Sequence, residues 1–232
     1  MQTARKPFFV LVAFVGMLFH SAVFAVESPV YEVIDEQSGT AESKDGHFNS
    51  KSDGKDDSHG FAGMKGISLE SGQIPPVLEI QVGGEISVSD KNVTKTPWSS
   101  KSFESNGKVQ LVQYVAANRS ASRQNKPFND ALIEKKFSSA QLSTTVIVQM
   151  ADTLGLVKGI VANQLAKNKA KHETINFVLD ENGVGLQRWG MKNKSYAIIV
   201  LDASGKVLFV KDGPLSEIEI ESTIELIENQ MT

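Results

Sequence analysis

The stretch from Val109 to Ala117, VQLVQYVAA, is an almost continuous apolar run. Such a run marks a strand covered on both faces, so the chain must supply layers on either side of a sheet. Ser122 to Phe137 follows it with Phe128, Leu132, Ile133 and Phe137 at helical spacings. Thr144 to Met150 is β-branched and strand-like, and Leu156 to Lys171 carries Val157, Val161 and Leu165 on one helical face. Lysines occupy the opposite face of that helix, and they read most simply as solvated. Ile175 to Leu179 and Ala197 to Leu201 are further strands, and Val207 to Val210 returns antiparallel to the second. Ser216-Glu217-Ile218-Glu219 is a capping box opening a last helix with the stripe Ile220, Ile224, Ile227 and Met231. Upstream, Val77 to Val82 and Glu85 to Val88 flank Gly83-Gly84, which predicts a hairpin turning at the two glycines. Alternating strands and helices predict an α/β fold, a mostly parallel sheet with helices on both faces.

Two D-x-x-G tetrads, Asp180 to Gly183 and Asp202 to Gly205, end strands. Their carboxylates resemble a catalytic pair on paper, but aspartate accepting backbone hydrogen bonds with glycine at positive φ is ordinary turn chemistry.

The N-terminus reads as an address. Arg5 and Lys6 precede an apolar run from Phe8 to Phe19, and Ser21 to Ala25 forms a small-residue exit. That order is the pattern of a secretory signal cleaved after Ala25. A bilayer span needs about 20 apolar residues, and His20-Ser21 interrupts this run too early. Residues 1–25 are therefore expected to be a signal peptide, residues 26–66 a disordered acidic linker and residues 67–232 the folded domain. From Asp35 to Gly60 the linker is dominated by Ser, Gly, Asp, Glu and Lys, which cannot bury enough surface to offset the entropy of ordering. His47 and His59 lie among its aspartates, but two imidazoles on a tether do not make a zinc site, and the spacing fits no calcium loop.

Composition removes whole classes of function. The 232 residues include no cysteine, which excludes disulfides, thiol nucleophiles and thiolate metal sites. A formal net charge of −3 argues against nucleic acid as a partner. No cofactor or metal is implied.

The element order, with its closing β-hairpin and helix, resembles the thioredoxin fold in its peroxiredoxin and exported-reductase form. Members of that group carry Gly-Lys, an apolar strand, a Trp-Cys-x-x-Cys motif and a proline five residues after its second cysteine. Here Gly107-Lys108 leads through Val109–Tyr114 to Ala116-Ala117-Asn118-Arg119-Ser120-Ala121-Ser122, and Pro127 follows. More closely, the chain from about Ile67 onward resembles the YtfJ family of small exported bacterial proteins. The shared features are Pro75-Pro76-Val77, Trp98-Ser99, Arg119-Ser120-Ala121, Asp180 to Val184, Val200 to Val207 and Lys211 to Gly213. The acidic spacer before Ile67 departs from that compact pattern.

The resemblance implies a thioredoxin-like central mixed sheet flanked by helices, and a periplasmic location. It sets Arg119 and Ser122 where the two thiols of an oxidoreductase would stand, and Tyr196 where its cis-proline would be. Neither side chain can exchange disulfides, and a non-proline cis bond costs about 3 kcal/mol, so a trans peptide is expected at Tyr196. What remains is a candidate binding site at Arg119, Ser120, Ser122 and Tyr196, offering a guanidinium and a helix start to an unknown protein or a small anionic ligand of the envelope. Against it stands a plain capping role for Ser120 or Ser122. Arg188-Trp189 is a possible second wall, although such a tryptophan more often belongs to a core. The alternative is a hydrolytic enzyme with Ser120 or Ser122 as nucleophile, for which His172 is the only histidine after the linker. A third reading is an envelope protein tethered through its acidic arm. No stable membrane insertion is expected after cleavage.

Overall fold

The computed structural model describes residues 69–90, 92–104 and 106–231. The expected signal peptide, the linker with His47 and His59, and the domain start at Ile67 lie outside these residues. Strands are β1 (Glu79–Ser89), β2 (Asn92–Ser99), β3 (Val109–Ala116), β4 (Leu142–Gln149), β5 (Ile175–Asp180), β6 (Tyr196–Leu201) and β7 (Val207–Asp212). Helices are α1 (Arg119–Arg123), α2 (Lys126–Lys135), α3 (Gly155–Lys171), α4 (Val184–Arg188) and α5 (Glu217–Gln230), with a 3-10 turn at Ser100–Glu104.

The sheet order is β2-β1-β5-β4-β3-β6-β7. Strands β3, β4 and β5 run parallel, while β6 is antiparallel to β3, β7 to β6, β1 to β5 and β2 to β1. Every residue of β3 and β6 is buried, as continuous apolar runs at a sheet centre require. Parallel β-α-β units closed by an antiparallel hairpin and a final helix make this a thioredoxin-like α/β fold.

Helices cover both faces, but unequally. Strand residues alternate between two cores: Val109, Leu111 and Val115 share one with Phe128 of α2, Val161 and Leu165 of α3, and Ile224 and Ile227 of α5. Val112 and Tyr114 belong to the other, with Leu69, Leu78, Phe103 and Trp189. The three longer helices therefore share one face. For α2 and α3 the cause is topological, because successive right-handed crossovers between adjacent parallel strands return on the same side; α5 follows β7 and packs its Ile224 and Ile227 into the same core.

The sheet is mixed rather than mostly parallel, with two parallel and four antiparallel pairings, and three further expectations are corrected. Gly83-Gly84 is not a turn: β1 runs straight through it, and the pairing with β2 shifts register between Ile80 and Glu85. At this bulge Gly83 (φ 91°) and Gly84 (φ 76°) pair with Asp180 and Leu179 of β5. A Cβ at Gly83 would collide with the Leu179 carbonyl, and one at Gly84 with the Thr96 carbonyl of β2. Glycine is required because strands on both sides press against the backbone. Second, β2 itself was not anticipated, since residues 92–97 are all exposed on a polar edge strand. Lys95 and Pro97 suit such an edge, where charge and a missing N–H discourage further pairing.

Third, the single helix expected over Ser122 to Phe137 is two. Pro127 cannot donate to the preceding turn, and Asn125 (φ −109°, ψ 29°) separates α1 from α2. The buried Asn125 amide donates to the Tyr196 and Gly213 carbonyls, both at 3.1 Å, and its oxygen accepts from the Leu215 N–H at 2.9 Å. The break thus ties three segments together. At α5 the capping box forms between Ser216 and Glu219. A hydrogen bond from Lys211, then those from Ser216, draw the Glu219 carboxyl down to about 2.

Gly84→Ala should lower the urea-unfolding free energy by about 2 kcal/mol or more, since it adds both a left-handed alanine and a backbone collision. A loss under about 0.5 kcal/mol would contradict this account of the bulge.

Candidate functional site

Ligands of open α/β sheets bind outside the carboxyl ends of the parallel strands. At that edge lie the β3–α1 loop, Gln149 to Leu154 after β4, Asp180 to Gly183 after β5, and Ser195 before β6. The loop after β3 is fixed by backbone bonds: Ala117 N–H donates to the Gln149 carbonyl at 2.9 Å and Ala116 N–H to that of Ser195 at 2.9 Å. Neither serine caps α1. Asn118 does, its side chain accepting from the Ala121 N–H at 2.8 Å.

The four candidate residues come to one end of the sheet but present different things. Arg119 and Ser120 are exposed. Ser122 is buried, and its hydroxyl donates to the Arg119 carbonyl at 3.0 Å. Tyr196 pairs with Val115 across β3 and β6, and its phenol runs beneath α2, away from the loop. There it donates to Gln113 Oε1 at 2.8 Å and accepts from Asn129 Nδ2 at 3.0 Å. Ser122 and Tyr196 therefore serve the fold with their side chains, leaving Arg119 and Ser120 to face solvent. Among the described residues every peptide bond is trans, including that before Tyr196.

Trp189 is core. Its indole N–H donates to the Pro76 carbonyl at 2.7 Å, its ring meets Tyr114 edge-on at 6.4 Å, and the Arg188 Nε donates to the Val77 carbonyl at 3.2 Å. His172 ends α3 just before β5 begins, at the opposite edge from Ser120 and Ser122. Among the described residues no histidine is placed to activate either hydroxyl, and no group of acids and histidines could hold a metal.

Both tetrads do the turn chemistry expected. Asp202 Oδ1 accepts from the Ser204 and Lys206 N–H groups at 2.8 and 3.0 Å. Asp180 does more. Fully buried, it accepts from the Val184 N–H at 2.8 Å, the Gly185 N–H at 2.9 Å and the Tyr114 hydroxyl at 2.9 Å. A Cβ on Gly185 would enter the Tyr114 ring, so that glycine lets the phenol reach its carboxylate. Burial, then the Asp180 charge, holds the Tyr114 phenol far above its ordinary pKa.

Two features of this edge went unread in the sequence. The buried Gln149 amide nitrogen has no hydrogen-bond partner, and it lies under Gly183. At the start of α3, Leu154, Leu156 and Ile160 are 78, 91 and 53% exposed. The only available signal was that Leu156 and Ile160 fall off the stripe of Val157, Val161 and Leu165.

The fold and this edge define a thioredoxin-like domain without the thiol pair. Residues 69–230 match the model of a bacterial protein family of unknown function, YtfJ_HI0045. The chain belongs to that family. It is 33% identical over 160 residues to an uncharacterised protein of Haemophilus influenzae and 30% identical over 160 residues to the uncharacterised protein YtfJ of Escherichia coli. Each alignment covers 69% of this chain and 86% of the relative. Similar solved structures include a thiol-disulfide isomerase from Corynebacterium glutamicum, at 13% identity and TM-score 0.47, covering 68% of this chain and 96% of that one. A thiol peroxidase from Chromobacterium violaceum is similar at 19% identity and TM-score 0.42, covering 71% and 91%.

The raised Tyr114 pKa fixes the sign of a pH effect. The unfolded chain loses this proton near the ordinary value of about 10, before the folded protein does. Stability from this group is therefore intact below about pH 10 and falls above it, by about 1.4 kcal/mol per pH unit. Tyr114→Phe should flatten the stability curve above pH 10 by that slope in urea titrations. Identical slopes for both proteins would contradict it.

Proposed function

We propose that this chain is an exported binding domain without thiol chemistry, which engages a partner protein through the rim made by Arg119-Ser120 and the first turns of α3. The observation that carries the reading is the exposure of Leu154, Leu156 and Ile160. Large aliphatic groups in water forgo about 1.5–3 kcal/mol each, and clustered exposure of this kind is characteristic of interaction surfaces. The rim joins them to a guanidinium, because α1 and α3 leave from the neighbouring strands β3 and β4. Arginine beside the patch is of the residue type enriched among interface anchors.

A protein fits this rim better than a small anion. Helix α1 has five residues, and its Ala121 N–H is already taken by Asn118. Hydrolysis has less support still, since Ser122 is buried and His172 lies at the other edge. Export rests on the charged head, apolar run and small-residue exit of residues 1–25. Among the described residues no helix is long and apolar enough to cross a membrane.

Site-specific photo-crosslinking in cells tests the rim. A benzoyl-phenylalanine at position 120 or 156 should give discrete protein adducts, and one at exposed Glu225 should not. Arg119→Ala or Leu156→Glu should remove most of the adduct while shifting stability by under about 0.5 kcal/mol. The same bands from all three positions would remove the site. This protein recovered from the same cells should begin at Val26 and should not label with a fluorophosphonate above a denatured control. Labelling would favour the hydrolase.

A further inference from the structure

Beneath the far half of α2, at the edge where β4 and β5 begin, lies a cavity of about 370 Å3. It is separate from the Arg119 rim, and its volume falls in the range of about 300–1,000 Å3 common to small-molecule sites. Its walls are apolar: Leu111, Leu132, Phe137, Leu142, Val146 and Ile175. At its inner end the amides of Gln113 and Asn129, each 3% exposed, join the Tyr196 phenol in a closed ring of hydrogen bonds of 2.8, 3.0 and 2.8 Å. That ring holds α2 off the sheet with a rigid polar support. Lys136, Ser139 and Thr174 add polar groups to the lining, and Lys136 is its sole charged residue.

Neighbouring Lys135 is engaged at 2.6 Å by Glu228, whereas no acid lines the chamber. An apolar ligand without a head would leave the lysine unused. A small anion would leave the aliphatic walls facing water. The negative end of the α2 dipole lies at the same lip, so a carboxylate could reside there only beside the Lys136 ammonium.

We propose that this cavity binds an amphipathic carboxylic acid of medium chain length, its hydrocarbon in the chamber and its carboxylate on Lys136 and the hydroxyls of Ser139 and Thr174. The proposal is independent of the rim, since the two sites lie at opposite edges of the sheet.

Titration of the purified full chain with 1-anilinonaphthalene-8-sulfonate, followed by displacement with decanoate and with decanol, tests it. One saturable site is expected, with decanoate displacing the dye at concentrations at least tenfold below decanol. Lys136→Gln should weaken decanoate about tenfold and leave decanol unchanged. Leu132→Trp should fill the chamber and remove both, and Val146→Phe replaces it if circular dichroism shows the tryptophan variant unfolded. Absence of a saturable site, decanoate binding indifferent to Lys136→Gln, or binding that survives the filled chamber would each overturn the proposal. A decanoate-insensitive dimer whose dissociation opens the chamber to dye would also overturn it, by making a second copy the occupant.

Discussion

A carboxylate with no access to water organises the centre of this molecule. Burying an ionised group is expensive unless hydrogen bonds replace its water, and both Asp180 oxygens accept, together from two backbone amides and a phenol. Those donors belong to α4 and to β3, so one side chain at the end of β5 fixes a helix start and a strand two positions away in the sheet. Gly185, Tyr114 and Trp189 follow from it. The glycine admits the ring, the ring reaches the carboxylate, and the indole packs on the ring's edge.

The same principle explains the loop after β3. Asn118 caps α1, Ser122 closes its first turn and Asn125 clasps three backbone groups behind it. The loop after β3 is thereby rigid without a reactive group of its own. A rigid loop beside exposed leucines suits recognition, because little ordering remains to oppose association.

Strands β3 to β6 were legible because central strands are buried on both faces and need no alternation to be seen, and edge strand β7 because the turn at Asp202 to Gly205 announces its return. The capping box at Ser216 was legible because its signal is local. Gly83-Gly84 was misread because a turn and a bulge ask the same of the backbone. Only the Thr96 and Leu179 carbonyls, distant in sequence, tell the two apart. β2 was missed because an exposed edge strand has no buried face to pattern. Of the candidate site, Arg119 was reached only through the resemblance of Gly107 to Pro127 to the thioredoxin pattern. The triple role of Asp180 was not, since the sequence shows a turn aspartate but not the tyrosine 66 residues away. The chamber under α2 forms where three strands and a helix end meet, a coincidence of tertiary packing with no local motif.

The central claim is that the Tyr114–Asp180 contact is a structural keystone and not an idle neighbour. A double-mutant cycle with Tyr114→Phe and Asp180→Asn, read by urea unfolding at neutral pH, measures that contact directly. The account predicts a coupling energy of about 1–3 kcal/mol between the two substitutions. Simple additivity, within about 0.3 kcal/mol, would contradict it.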